Sequence, residues 1–332
     1  MGLEHAAMAH AGILRAFGFQ FPSDEVPESI YSYAPVYRLR NESGEWIVKR
    51  AQKPLARGRA VAAWAGAAAA KGIRLVTPAA GFGENPRAFE AQDGSEEVWV
   101  VYPFVRGNPY TGEKAQIEAA GSLLGQIHAL DYPGPSGLKI HETVVAVEEA
   151  EIEGDIQGIL AQVRRVFPAF GEAAGLTLSE RCEQYFRHAL PRMLETRLPL
   201  AICSWDYKAS NLIYPEGDAP VLVDVDNAGC IPRLYDLAIA LLLFHNDGGH
   251  APGLIFTPAE WTVFLEAYAR HVQLTADERQ TWEAVLLCAW VDEGLWLLNN
   301  DEEGWADPRQ FQMLLSLLHA DLSCFILDSE IS

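Results

Sequence analysis

The segment CSWDYKASNLIY, Cys203 to Tyr214, places an aspartate, a lysine and an asparagine in a run that otherwise reads as a buried strand. A second acidic element, VLVDVDNAG, follows at Val221 to Gly229. Phosphoryl transfer asks for little more than this. It needs an acid to orient and deprotonate the attacking hydroxyl, oxygen ligands for Mg2+, and a cation on the nucleotide phosphates. Mg2+ favours carboxylate and amide oxygens in an octahedral shell that keeps several waters. Asp206, Asn211 and Asp224 supply such groups. Five positions separate Asp206 from Asn211, and thirteen separate Asn211 from Asp224. Both intervals suit a loop followed by a hairpin that returns Asp224 towards Asn211.

The elements that must carry these residues are legible as periodicities. Residues 5–19 read as a first helix, and Pro22 and Pro27 break the chain after it. A β-rich stretch over 29–41 turns at NESGE (41–45) into WIVKRAQ (46–52), which alternates like a strand. ARGRAVAAWAGAAAAKG (56–72) reads as a small-residue helix closing on Gly72, and 81–107 as two strands joined by a DGSE turn. After Gly107 the pattern becomes helical. Residues 112–130 are amphipathic, and 233–245, 258–272, 278–300 and 308–327 are further helix candidates. The reading is an α+β chain with a small β-rich part, 1–106, and a large helical part, 107–332.

Composition narrows the function classes. The chain has 332 residues, 49% of them hydrophobic, with a formal charge of −20. That is enough apolar material for a sizeable core. The charge argues against nucleic acid, whose phosphates are bound by basic surface, and agrees with either plain solubility or a preference for cationic ligands. Five cysteines form no CxxC pair, the pattern of a reduced cytoplasmic protein without structural zinc. The N-terminus shows no signal-peptide pattern, and the apolar run 60–70 is too short to span a bilayer. No nucleic-acid or membrane partner is expected, and the oligomeric state is left open.

WDYKASN followed by LVDVD, and then by RLYDLAIAL, resembles the catalytic loop, metal-binding aspartate and following helix of the kinase-like small-molecule phosphotransferases. This family includes aminoglycoside phosphotransferases and choline kinases, and the resemblance extends over roughly residues 30 to 320. It implies a protein-kinase-like fold of two lobes, a small β-rich N-lobe and a large helical C-lobe. It implies ATP and Mg2+ as cofactors. Asp206 would be the catalytic base, with Lys208 on the transferred phosphate, and Asn211 and Asp224 would hold the metal. Asp226 would be either a second metal-facing carboxylate or turned to the other side of its strand. Asp236, in the apolar helix, would brace the loop. Lys49 would bind the phosphates, with Arg50 on the opposite face. Backbone groups from Tyr102 to Phe104 would meet the adenine, and the YSYAPVY loop containing Ser32 would cover the phosphates.

Two departures stand out. Where the family carries His-Gly-Asp, this chain has Ser204, Trp205 and Asp206. The small-lobe helix, which in kinases pairs an acid with the strand lysine, contains none over 56–72. Lys49 must then find another partner, such as Asp224 or the phosphates themselves. The acceptor is the least legible part. Asp292 and Glu293 interrupt an apolar helix, with Trp290 and Trp296 close in sequence and Trp205 beside the catalytic aspartate. Such acids either open onto a cleft, where a cationic acceptor meets charge and aromatic faces, or are a solvent-facing residue and an internal hydrogen bond. The expected activity is transfer of the γ-phosphoryl group of ATP to a hydroxyl of an aminoglycoside or other amino-alcohol. The alternatives are a kinase of another small alcohol of choline, homoserine or sugar type, and a degenerate nucleotide-binding protein.

Overall fold

A computed structural model describes residues 10–22, 27–31, 34–51, 54–91, 93–133, 137–141, 147–166, 168, 171–217, 219–246 and 249–327. The chain is α+β, with a small antiparallel sheet towards its N-terminus and a predominantly helical remainder. It forms two compact units, each discontinuous in sequence. The first comprises Met1–Arg106, Tyr132–Lys139 and Val221–Asn227, and the second Gly107–Asp131, Ile140–Pro220 and Ala228–Ser332.

In the first unit four strands, β1 (Val36–Asn41), β2 (Gly44–Ala51), β3 (Arg87–Glu90) and β4 (Glu96–Pro103), lie in the order β1-β2-β4-β3. The β1–β2 hairpin turns at Glu42-Ser43, where the Asn41 carboxamide oxygen accepts from the Ser43 amide and the Trp46 indole. One sheet face, with Tyr37, Val48, Trp99 and Val101, packs on Leu14, Phe17 and Phe19 from the segment that starts as helix over residues 10–16. The strand period of two sends the neighbours of these residues, Lys49, Val98 and Tyr102, to the other face. Helix α1 (Leu55–Ala70) packs there. A Cβ on its Gly58 would come within 3.2 Å of Val98, so the helix approaches the sheet closely at that point. Its buried positions, including 57, 58, 61, 64, 65 and 68, follow the helical period.

The second unit supports the loop after Cys203 with α2 (Lys114–His128), the strands β5 (Leu200–Cys203) and β6 (Gly229–Pro232), and α5 (Arg233–Leu243). Between α2 and β5 come α3 (Glu149–Val166), α4 (Gly171–Gln184), a π-helical turn over Tyr185–Ala189 and a short helical turn over Leu190–Glu195. After α5 come α6 (Pro258–Ala269), α7 (Ala276–Ala289), a π-helical turn over Trp290–Gly294, α8 (Leu295–Asn300) and α9 (Pro308–Leu318). β5 and β6 pair antiparallel, bringing Cys203 opposite Gly229. Thr257 and Thr275 each close a capping box, with Glu260 and Glu278, at the starts of α6 and α7. Glu278, fully buried, also takes both ends of the Arg233 guanidinium at 2.7 and 2.8 Å, which fixes the first turn of α5. No helix among the described residues is long and apolar enough to cross a membrane.

The approach of α2 to α6 depends on glycine. A Cβ on Gly121 would stand 2.2 Å from the Phe264 carbonyl oxygen, and one on Gly125 2.7 Å from that of Tyr268. These obstacles are backbone, which cannot swing aside. Gly121→Ala is therefore expected to destabilise the fold by about 1–3 kcal/mol, read as a lower urea midpoint with unchanged slope. Stability equal to the parent would mean that the helices separate without cost.

Candidate functional site

Each unit presents its own cluster of polar residues. In the first, Lys49 on β2 is only 8% exposed, yet its Nζ lies 2.8 Å from Asp224 Oδ1 and 2.9 Å from Asp226 Oδ2. The Tyr102 hydroxyl donates to Asp226 Oδ1 at 2.8 Å. Burial works against the Lys49 charge, but the two carboxylates outweigh it and raise its pKa, so the side chain stays an ammonium. Arg50, one residue on, faces the other way and pairs with Glu97 at 3.0 Å. A cleft of about 580 Å³ opens here, lined by Tyr31, Ala34, Val36, Lys49, Asp224 and Asp226 among others.

In the second unit the loop after β5 gathers Asp206, Lys208 and Asn211. Asp206 Oδ1 lies 3.3 Å from Lys208 Nζ. Asn211, nine-tenths buried, donates from Nδ2 to the Asp206 backbone oxygen (2.9 Å) and to Oδ2 (3.1 Å). With its amide nitrogen so committed, Asn211 turns its carbonyl oxygen away from Asp206. The Ser204 hydroxyl accepts from the Asp206 amide at 3.4 Å. Trp205 sits at φ +55°, the left-handed region that glycine enters freely and tryptophan does not. The loop thus keeps a glycine-like backbone at this position. Asp236 holds it there: fully buried on α5, it accepts the Trp205 amide on Oδ1 (3.0 Å) and contacts His128 Nε2 through Oδ2 (3.0 Å). His128 in turn meets the Tyr268 hydroxyl through Nδ1 at 3.0 Å.

The sequence from 278 to 300 does not form one helix, because the π-helical turn at 290–294 interrupts it. A π turn takes an extra residue into one turn, so two consecutive side chains can share a side that a regular helix would divide between them. Asp292 and Glu293 are both half-buried as a result. Asp292 accepts from the Tyr235 hydroxyl, and Glu293 from the Trp205 side chain, whose ring also lies edge-on to His141 at 5.0 Å. Burial first, then the neighbouring Asp292, pushes the Glu293 carboxyl up to about 7, and Asp206 adds to the effect. The folded state therefore favours neutral Glu293. Its contribution to stability is present below the ordinary carboxyl range and is lost as pH rises through about 7. Urea unfolding between about pH 5 and pH 8 should show parent stability falling relative to Glu293→Gln. Parallel curves for the two proteins would refute this ionisation.

Two of the expected residues have partners within the fold. Within Tyr102 to Phe104, the run whose backbone was expected at the adenine, the Phe104 amide donates to the Glu45 carbonyl at 3.0 Å, because β4 continues pairing with the β1–β2 hairpin. Trp290, assigned to the acceptor, is fully buried. Its indole donates to the Leu317 carbonyl, and the Arg181 guanidinium lies 4.3 Å from its ring, so it is a packing residue. Ser32 lies outside the described residues. Sequence reasoning missed His128 and Tyr102 as side chains with roles, and left Asp226 undecided. A histidine closing the amphipathic helix 112–130 was the available signal for the first. A larger groove of about 960 Å³ in the second unit, lined by Arg181, Arg187, Arg192 and Glu283 among others, holds none of the predicted residues.

Comparison with known proteins places this geometry. Among solved structures, an amicoumacin kinase in complex with AMP-PNP, Ca2+ and Ami is similar at 15% identity and a TM-score of 0.65, covering 96% of this chain and 95% of that one. A spectinomycin phosphotransferase in complex with ADP and spectinomycin gives 14%, 0.55, and coverages of 95% and 98%. A microcompartment-associated aminopropanol kinase gives 12%, 0.62, and 94% of each chain. At these identities the likeness establishes the fold, which is protein-kinase-like. No curated protein sequence matches the chain. The sequence profile of the phosphotransferase enzyme family, however, matches residues 32–287, more than three-quarters of the length. The chain belongs to the phosphotransferase enzyme family.

Proposed function

We propose that this protein transfers the γ-phosphoryl group of ATP, with Mg2+, to a hydroxyl of a small cationic acceptor, an aminoglycoside or another amino-alcohol. The observation that carries the reading is the Asp206–Lys208–Asn211 cluster, three contacting side chains on one short loop in a chain of this family. Asp206 accepts the proton of the acceptor hydroxyl as its oxygen attacks the γ-phosphorus and the bond to the ADP leaving group breaks. Lys208 places a positive charge on the group in transfer, and Lys49 holds the nucleotide phosphates. The oxygens of Asn211 and Asp224 are hard donors that fit Mg2+, which would neutralise phosphate charge when bound. The AMP-PNP with Ca2+ and the ADP found in two of the structural neighbours support a nucleotide and a divalent cation.

The cationic acceptor is supported by Asp292 and Glu293 beside Trp205, with Asp206 close enough to Glu293 to raise its pKa. A kinase of another small alcohol, of choline, homoserine or sugar type, remains the alternative, as does binding of nucleotide without turnover. The test is transfer of labelled phosphate from Mg-ATP to aminoglycosides, aminopropanol, ethanolamine, choline, homoserine and sugars. Transfer to the aminoglycosides, aminopropanol or ethanolamine alone agrees with the proposal. Transfer to neutral sugars alone rejects the cationic class, and ATP binding without transfer or hydrolysis favours the degenerate alternative.

A further inference from the structure

The kinase arrangement pairs the strand lysine with an acid from the small-unit helix, and α1 has no acidic residue. Its buried cation Arg57 reaches instead towards the backbone of the acidic segment, with Nη2 3.4 Å from the Asn227 carbonyl oxygen. The acid that Lys49 needs comes from that segment. Two carboxylates touch the ammonium, and their surroundings differ. The Asp224 side chain is 38% exposed, whereas that of Asp226 is 11% exposed and receives the Tyr102 phenol on its other oxygen. Register explains how the phenol arrives. Lys49 pairs with Val100, and Ile47 with Tyr102, so Lys49 and Tyr102 are diagonal neighbours on one sheet face. The ammonium lies 5.6 Å from the Tyr102 ring centre.

We propose that Asp226, held by the Tyr102 hydroxyl, is the positioning residue for Lys49 and replaces the missing helix acid, and that it is not a metal ligand. The inference rests on the phosphotransferase reading, since Lys49 must be aimed at nucleotide phosphates for its position to matter. Both Asp226 oxygens are committed, one to Lys49 and one to Tyr102. Asp224 is the more open of the two and has the exposure a metal ligand needs. The charge pattern of the kinase helix and strand is thereby exchanged: the helix contributes a cation to the acidic segment, and the segment contributes the anion to the strand lysine. Tyr102, expected to matter through its backbone, acts through its side chain.

The experiment measures ATP affinity of the full chain with Mg2+ and with a chelator. It also measures the Mg2+ concentration giving half-maximal transfer or ATP hydrolysis, for the parent, Asp226→Asn and Tyr102→Phe. Thermal melts establish that each variant is folded. Asp226→Asn should weaken ATP about tenfold or more in both conditions while leaving the Mg2+ half-point unchanged. Tyr102→Phe, which removes one oxygen only, should weaken ATP in the same direction by a smaller factor, and it carries the test if Asp226→Asn does not fold. A shifted Mg2+ half-point with parental affinity in chelator would make Asp226 a metal ligand and overturn the proposal. Variants that bind as the parent does would overturn it as well. A parent that binds no nucleotide would overturn the phosphotransferase reading, and this inference with it.

Discussion

Replacing Asp206 by asparagine should lower the rate of phosphoryl transfer by roughly 10²- to 10⁴-fold, the usual contribution of a positioned general base, and leave ATP affinity near that of the parent. The substitution keeps the shape of the side chain and removes its ability to take a proton. It keeps one side-chain oxygen, for Lys208 (3.3 Å from Oδ1) or for the Asn211 amide (3.1 Å from Oδ2), and leaves the bond from Asn211 to the Asp206 backbone oxygen, 2.9 Å, untouched. The loop therefore has no reason to collapse. Steady-state kinetics with separate ATP and acceptor titrations make the check. A loss confined to turnover supports the base. Loss of ATP affinity in proportion to rate would mean the variant had disturbed the nucleotide side instead, and parental turnover would end the assignment of Asp206.

The second large effect is expected at Asp236. Asp236→Ala removes the acceptor of the Trp205 amide and the partner of His128 Nε2 in a fully buried place. Two buried polar groups are left without their partner, which should cost about 3 kcal/mol or more. The cost is not only global. Trp205 occupies a left-handed conformation that a tryptophan does not hold without support, and the Asp236 bond is the support observed. Turnover should therefore fall even where the variant remains folded, because Asp206 follows directly. Urea unfolding and kinetics on the same samples separate the two effects. A loss within about 0.5 kcal/mol, the range of neutral surface changes, would show that the network is dispensable.

These predictions bear on the two departures from the family pattern. In the loop after β5, Ser204 and Trp205 stand where the family carries His-Gly. The structure shows a glycine-like backbone at Trp205, Ser204 accepting from the Asp206 amide, and His128 of α2 against Asp236. In the first unit the absent helix acid is made good by Asp226. In both places the contacts join residues far apart in the chain. Sequence alone cannot register such contacts, because His128 and Asp236 are 108 residues apart and Lys49 and Asp226 are 177 apart.

What the sequence by itself determined was local. The alternation of WIVKR specified a strand with Lys49 and Arg50 on opposite faces. The helical periods of 112–130 and 233–245 placed α2 and α5 to within a few residues. The spacing DYKASN was short enough to confine Asp206, Lys208 and Asn211 to one loop. What only the tertiary structure decided was pairing between distant segments and departures from regular geometry. Periodicity gave Asp292 and Glu293 to one continuous helix, but packing inserts a π turn and partly buries both carboxylates. Trp290 reads like a ligand-facing aromatic until its ring is found against Arg181 in the core. The physical reason is common to all of these. Local sequence sets which backbone hydrogen bonds and which apolar face a segment prefers, whereas a buried charge or amide is satisfied by whatever partner the folded chain brings within about 3 Å.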